Sequence, residues 1–339
     1  MEDQTIPTKF MVVSDTHEYL LDGTSMPHID VLLHTGDLTN FGDLQSLRDA
    51  VKMMGTISAE IKLVIAGNHD LSLDKVNRVE NMSAEEYAYY HAEAMDIMTG
   101  TVAKAAGVIY LQEGTYSFQL ENGATFTVYA SPYTPGSGGW AFPYSKTEDR
   151  YNPVDKSNSQ LQQQEPLKPI PSGIDIVMTH GPPRSILDEV DGQNMGCPNL
   201  LHAIGRTRPL MHTFGHIHEG HAAHIVDWKP DNTVRNPAAA TPLETEQMNE
   251  YPDPCEWSIK RGLQTLLVNA AIMRNTGRGM RPDYQPFIIT LKLPKAILHT
   301  VTPPTTPATA GKVPTKKRTH EEPSKSSDGL VGKKRRVWV

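Results

Sequence analysis

Five short apolar runs, each ending in residues that bind metals, constrain this chain more than any other feature. Phe10–Val13 (FMVV) leads to Asp15 and His17, Val31–Leu33 (VLL) to Asp37, and Leu63–Ala66 (LVIA) to Asn68 and His69. Ile174–Met178 (IDIVM) leads to His180, and Met211–Phe214 (MHTF) to His216 and His218. Runs this short, rich in β-branched residues and closed by Gly, Asp, Asn or His, read as buried strands. Ligands gather beyond the carboxyl ends of strands in an open α/β sheet. Any one of these histidines alone would read as a hydrogen-bonded core or surface residue; five strand ends delivering Asp, His and Asn in order read as a metal site. Residues i and i+2 of an extended segment face one side, so Asp15 pairs with His17 and His216 with His218. Gly36, Gly67, Gly181 and Gly215 flank the candidates and allow close backbone approach. Imidazole and carboxylate ligands without thiolate suit Mn, Fe, Zn or Ni.

Between the runs, Leu44, Leu47, Val51 and Met54 recur at helical spacing and predict an amphipathic helix over Asp43–Met54. Ser83 followed by Glu86 is a capping box that opens a second helix, expected to reach Ala106. A third, short helix is expected over Asn199–Ile204. YSFQL and ATFTVYA around Asn122-Gly123 predict a hairpin, and Thr265–Asn269 and Phe287–Leu293 read as two further strands. The pattern is β/α first and strand-rich later, which predicts two sheets stacked face to face with helices outside. Two polar stretches, about 146–172 and 229–260, read as long surface insertions. From residue 300 to 339 the chain is Pro/Thr-rich and then basic, and is expected to be disordered.

Composition closes off several function classes. Two cysteines, Cys197 and Cys255, exclude a disulfide framework and a cysteine-rich zinc cluster. MEDQTIPTKF lacks the basic and apolar regions of a signal peptide, and no apolar run approaches the ~20 residues that span a bilayer, so an intracellular protein without a membrane role is expected. The net charge of −7 is uneven: residues 312–339 hold nine Lys/Arg against three Asp/Glu, which leaves −13 on the remainder. An acidic body argues against broad capture of nucleic acid except through the tail. The clusters at 316–318 and 333–336 leave nuclear import open beside a cytoplasmic location.

In order, SDTH, GDLTNFGD, GNHD, THGPP and GHIH resemble the signature of the calcineurin-like metallophosphoesterases. The likeness is greatest to the metallophosphoesterase-domain-containing branch, through SPYTP and GW within 131–140, FGHIHEG at 214–220, Asn269-Ala270 and Gln285-Pro286-Phe287. That resemblance implies a four-layer α-β-β-α sandwich of two mixed sheets, a domain over residues 8–295, and two divalent metal ions, with manganese expected and iron, zinc or nickel open. It implies Asp15, His17, Asp37 and His218 on the first ion, and Asp37, Asn68, His180 and His216 on the second. His69 would stand beside the leaving group, oriented by Asp70. The implied reaction is attack of metal-bound hydroxide on small phosphodiesters such as cyclic nucleotides. A phosphomonoesterase or protein phosphatase, a non-catalytic binding scaffold on the same fold, and a nuclease guided by the tail are the alternatives.

Beyond the ligands, Arg184 could hold a phosphate oxygen or be a plain surface residue, and Trp140 and Tyr133 could stack on a substrate base or simply pack. His34 reads as core and His212 is ambiguous. His221 and His224 read as surface in preference to cleft residues.

Overall fold

Along Thr5–Val13 (β1), Phe10 and Val12 belong to one apolar cluster and Met11 and Val13 to another, all four fully buried. Burial on both faces of one strand means that layers cover the sheet on each side. The computed structural model describes residues 5–76, 82–136, 139–153, 168–235, 249–275 and 279–296. The expected disorder of 300–339 and the central parts of both polar stretches therefore lie outside the described residues.

The first sheet gathers β1, Val31–His34 (β2), Ile61–Val64 (β3), Val108–Tyr110 (β4), Cys255–Glu256 (β14) and Phe287–Pro294 (β18). Their order is β14-β18-β1-β2-β3-β4, with β1 through β4 parallel and β18 antiparallel to β1. The second gathers Gly114–Gln119 (β5), Thr125–Ser131 (β6), Ile176–Thr179 (β9), Met211–Phe214 (β12), Ala222–Asp227 (β13) and Gln264–Asn269 (β15). It runs β13-β15-β12-β9-β6-β5, parallel from β15 to β6 and antiparallel at both edges. Among the described residues three two-stranded ribbons join the two sheets in the count: Thr134–Pro135 (β7) with Pro143–Tyr144 (β8), Glu189–Val190 (β10) with Gln193–Asn194 (β11), and Met273–Asn275 (β16) with Met280–Pro282 (β17).

Side-chain alternation stacks these layers. Phe10, Leu33, Leu63, Phe126, Ile176, Met178, Leu266 and Val268 meet between the sheets, with Phe10 edge-on to Phe126 at 5.7 Å. On the outer face of the first sheet, Met11, Leu32 and Val64 pack under Leu44–Thr56 (α1), Ala84–Thr99 (α2) and Thr101–Ala105 (α3). On the outer face of the second, Tyr129, Val177 and Leu267 pack under Pro198–Thr207 (α4). This is the expected four-layer sandwich of two mixed sheets flanked by helices.

Local signals explain the helices and one correction. Asp43 caps α1, its carboxylate accepting from Ser46 N at 2.9 Å. Ser83 and Glu86 form the reciprocal capping box at the start of α2. The helix does not continue unbroken to Ala106 as the sequence suggested. It breaks at Gly100, which is extended (φ −79°, ψ −161°) and donates its N–H to Asp96 O; a Cβ there would fall 2.3 Å from that carbonyl. Among the described residues no helix is long and apolar enough to cross a membrane.

The flanks of both polar stretches also depart from surface insertions. Tyr151 and Ile170 are fully buried under α4, and Arg206 clamps their carbonyls at 3.2 and 2.9 Å. Cys255 and Trp257 enter the inter-sheet core, where Cys255–Glu256 forms the edge strand β14.

Candidate metal centre

The parallel strands of both sheets point their carboxyl ends the same way, and the segment after β15 ties those ends together. Ala270 N donates to Phe214 O at 2.8 Å in the second sheet, while Ser14 N donates to Ala270 O at 2.9 Å from the first. Asn269 is fully buried and its Nδ2 donates to Leu187 O and Ile217 O, fixing the turn that carries His216 and His218. Gly215 N donates to His180 O at 2.9 Å, and Asp15 N to Gly36 O at 2.9 Å. The loops after β1, β2, β9 and β12 are thereby held as one cluster.

Strain marks this cluster. Asp15 (φ 55°), His17 (φ 43°), Asp37 (φ 54°) and His216 (φ 69°) all occupy the left-handed region. Such conformations cost roughly 1–3 kcal/mol each and persist where surrounding contacts enforce them. Asp and His tolerate this region better than bulky residues do. Gly67 and Gly215 are required for contact, not for their φ angles. A Cβ on Gly67 would lie 2.2 Å from Asp37 Oδ1, and one on Gly215 would lie 2.0 Å from Asp15 Oδ2.

All seven expected ligands converge. His17 Nε2 stands 3.5 Å from Asp37 Oδ2 and 3.9 Å from Asp15 Oδ1. His218 Nε2 lies 3.2 Å from Asp15 Oδ1, whose carboxylate also accepts from His216 N. His180 Nε2 lies 3.3 Å from Asp37 Oδ2 and 2.9 Å from Asn68 Oδ1. His216 Nδ1 reaches the same Asn68 oxygen at 2.7 Å. Three groups of side chains are able to hold a cation: Asp15, His17 and His218; His17, Asp37 and His69; and Asp15, Asp37 and His180.

Two features fit these residues to metal ions. His17 is buried, yet among the described residues neither ring nitrogen has a hydrogen-bond partner. A buried orphan nitrogen is costly, and its 3.5–3.9 Å separation from two carboxylate oxygens suits ligands of a shared ion with bonds of about 2.0–2.2 Å. His180 Nδ1 donates to Thr35 O at 2.8 Å, which aims Nε2 at two oxygens. That nitrogen needs a proton or a cation in front of it. Burial opposes a charge on His180, but the carboxylates of Asp37 and Asp15 outweigh it and raise the ring to about 9. Asp15 is also buried, and the His218 bond and neighbouring imidazoles hold it well below the usual carboxylate range. His216 is pushed down to about 4 by burial and the charge of His180.

His69 sits at the rim, its ring 4.8 Å from that of His17. Its backbone N–H donates to Asp37 Oδ1 at 2.8 Å and its Nδ1 to Asn40 O at 2.8 Å, leaving Nε2 available. The Asn40 carbonyl therefore orients His69, and the expectation for Asp70 is corrected. The Asp70 carboxylate accepts instead from Leu38 N, Thr39 N, Thr39 Oγ1 and Gly67 N, which locks the GDLT loop to the GNHD loop. Trp140 lies against His69, ring centroids 4.1 Å apart. Arg184 is exposed on the loop after His180, held by its backbone N–H to Cys197 O, and no side-chain bond joins it to the cluster among the described residues.

Sequence reasoning missed Phe41, which stacks on Trp140 at 6.3 Å and 15° between planes. It also misplaced His221. That ring stacks between Tyr284 and Phe287 at 4.4 and 4.7 Å, and Nδ1 bonds Ala271 O, so it supports the segment behind the site. Tyr133 is covered by the Arg150 guanidinium at 3.6 Å and edge-on to Phe142, a packing role. His34 and His212 are buried and bonded to Thr16 Oγ1 and Thr179 Oγ1.

Residues 8–220 match the model of the calcineurin-like phosphoesterase family, and these residues hold every candidate ligand. The chain belongs to that family. It is 33% identical over 219 residues to human metallophosphoesterase domain-containing protein 1, covering 63% of this chain and 61% of that protein. A Caenorhabditis elegans UPF0046 protein is 33% identical over 220 residues, covering 65% of this chain and 66% of the relative. The chain thus spans about three-fifths of the length of the human relative it matches. Among solved structures it is similar to the phosphopantetheinyl hydrolase PptH of Mycobacterium tuberculosis, at 13% identity and a TM-score of 0.36, covering 66% of this chain and 86% of that one.

Proposed function

We propose that this chain is a two-metal phosphodiesterase acting on small phosphodiesters, cyclic nucleotides foremost. The observation that carries the reading is the buried His17 ring, with no hydrogen bond to either nitrogen among the described residues, set between Asp15 and Asp37 and 4.8 Å from the ring of His69. Asp15, His17, Asp37 and His218 would hold one ion, and Asp37, Asn68, His180 and His216 the other. Ions bound there supply Lewis acidity for the phosphate oxygens and a nucleophile from water at neutral pH.

The chain's own residues supply the rest. Asp37 Oδ2 faces both the His17 and His180 sides while Oδ1 is held by His69 N, so its carboxylate is fixed where it would serve ions held on either side. Asn68 adds an oxygen ligand without a third negative charge. His69 keeps its Nδ1 proton on Asn40 O, and a second proton on Nε2 would pass to the departing oxygen. Acid catalysis of this kind contributes typically about 10²–10⁴-fold. Trp140 packs against that imidazole, ring centroids 4.1 Å apart. The net −13 outside residues 312–339 favours a small substrate over a long polyanion.

Metal-stripped protein assayed on bis(4-nitrophenyl) phosphate and 4-nitrophenyl phosphate, with Mn²⁺ added back, tests this. The expected result is turnover that needs the metal and is faster on the diester. Faster turnover of the monoester would make the chain a phosphomonoesterase. No turnover on either compound, with ions bound, would leave a binding scaffold.

A further inference from the structure

We infer that His34 and Thr16 are positioning residues for the first metal ion, holding the Asp15–His17 turn at the spacing that ion needs; this rests on the two-metal reading. Thr16 stands between two expected ligands that both occupy the left-handed region, Asp15 at φ 55° and His17 at φ 43°. Backbone bonds fix the chain on either side of it. Asp15 N donates to Gly36 O at 2.9 Å, and His17 N to Asp37 O at 3.0 Å. Thr16 itself is fully buried, and its hydroxyl meets His34 Nε2 at 3.1 Å. His34, at the end of β2, is also fully buried, and its Nδ1 faces Gly36 N at 3.3 Å.

The donors and acceptors define the tautomer. A backbone N–H can only donate, so Nδ1 accepts from Gly36 and the ring proton sits on Nε2, which donates to Thr16 Oγ1. Burial pushes the ring down to about 4 despite the nearby carboxylates of Asp15 and Asp37, so both nitrogens keep these roles at neutral pH. One neutral side chain thereby joins the residue between Asp15 and His17 to the residue before Asp37. Those three are the ligands that the first ion would take from these two loops. A buried hydroxyl stripped of its partner is costly, and a left-handed turn without that restraint relaxes and carries Asp15 or His17 away from the ion. The second ion's half does not hang on this pair. His180 Nδ1 is held by Thr35 O at 2.8 Å, and His216 Nδ1 reaches Asn68 Oδ1 at 2.7 Å. Truncating the His34 side chain leaves Thr35 in place, since Thr35 N donates to Val13 O at 3.0 Å and Ile65 N to His34 O at 3.1 Å.

The test titrates Mn²⁺ into metal-stripped full-length wild type, Thr16→Val, Thr16→Ser and His34→Asn, followed by electron paramagnetic resonance. Valine keeps the shape and loses the hydroxyl, while serine keeps the hydroxyl. Asparagine keeps an acceptor for Gly36 N and loses the donor to Thr16. Thr16→Val and His34→Asn are each expected to hold one ion as tightly as wild type, with an uncoupled signal, and to need roughly 10- to 100-fold more Mn²⁺ before the other enters. The double variant should be no worse than either single one, because both break the same bond. Thr16→Ser should keep two coupled ions. Wild-type uptake of both ions by Thr16→Val, equal weakening of both ions, or a Thr16→Ser as impaired as Thr16→Val overturns the inference and leaves the two-metal reading standing. Wild-type protein that takes up no Mn²⁺ overturns that reading, and the inference with it. Imidazole ¹⁵N resonances of the metal-free wild type decide the case in which a variant does not fold. A neutral His34 protonated on Nε2 is the expected result, and a proton on Nδ1, or on both nitrogens, overturns the inference.

Discussion

Asp37→Asn is expected to abolish metal-dependent ester hydrolysis, by roughly 10³-fold or more, while leaving the fold intact. Asp37 Oδ2 is shared by the His17 side at 3.5 Å and the His180 side at 3.3 Å, so its charge is the link between the two halves of the cluster. An amide in its place loses that charge and turns a donor toward one of the imidazoles. The backbone contact survives, because an asparagine Oδ1 can still accept from His69 N. Without metal the variant should melt somewhat lower, because despite burial the His180 ring holds the Asp37 carboxylate below its usual range and is itself raised to about 9; relief of the repulsion that, after burial, raises Asp70 to about 6 offsets part of that loss. The check is kcat/KM beside a thermal melt of the metal-free variant. A variant that melts normally and retains activity within a few-fold of wild type would remove Asp37 from the chemistry.

The largest stability effect is expected away from the site, at Arg150. Its guanidinium pairs with Glu113 at 3.0 Å and Glu148 at 2.7 Å, lies 3.6 Å over the Tyr133 ring, and is only 12% exposed. Glu113 is 13% exposed and accepts from Ser131 Oγ, at the end of a strand that leads into the Trp140 loop. Arg150→Met keeps the stem but strands two largely buried carboxylates, which typically costs about 3–5 kcal/mol. The double variant Arg150→Met/Glu113→Gln should recover part of that loss, because one of the stranded charges is gone. Denaturant midpoints of the two variants decide this. A single variant within about 1 kcal/mol of wild type would class the pair with exposed salt bridges.

The site was legible because its chemistry and its backbone leave the same mark. Asp15, Asp37, Asn68, His180 and His216 each follow a run whose composition already says strand, and the strained turns behind them need glycine close by, as Gly67 and Gly215 show. The α1 periodicity and the Ser83–Glu86 box are local signals of the same kind. What sequence alone missed depends on contacts between distant segments. The family resemblance implied that Asp70 orients His69. The turn at Asp70 instead sends its carboxylate to Gly67, Leu38 and Thr39. Phe41 carries no signal of its own within GDLTNFGD; only the fold brings Trp140 alongside it. The Gly100 break lies between segments that both favour helix. The two-residue strand Cys255–Glu256 is too short for any period to register. Tyr151 and Ile170 sit in a polar run whose overall composition hid two core residues.

The central claim is that the cluster from Asp15 to His218 binds two divalent ions around Asp37. Titrating Mn²⁺ into metal-stripped full-length protein, followed by electron paramagnetic resonance, tests it directly. Two ions per chain with a magnetically coupled signal are expected, since ions that share a carboxylate lie about 3.5–4 Å apart. One uncoupled ion, or none, would contradict the account.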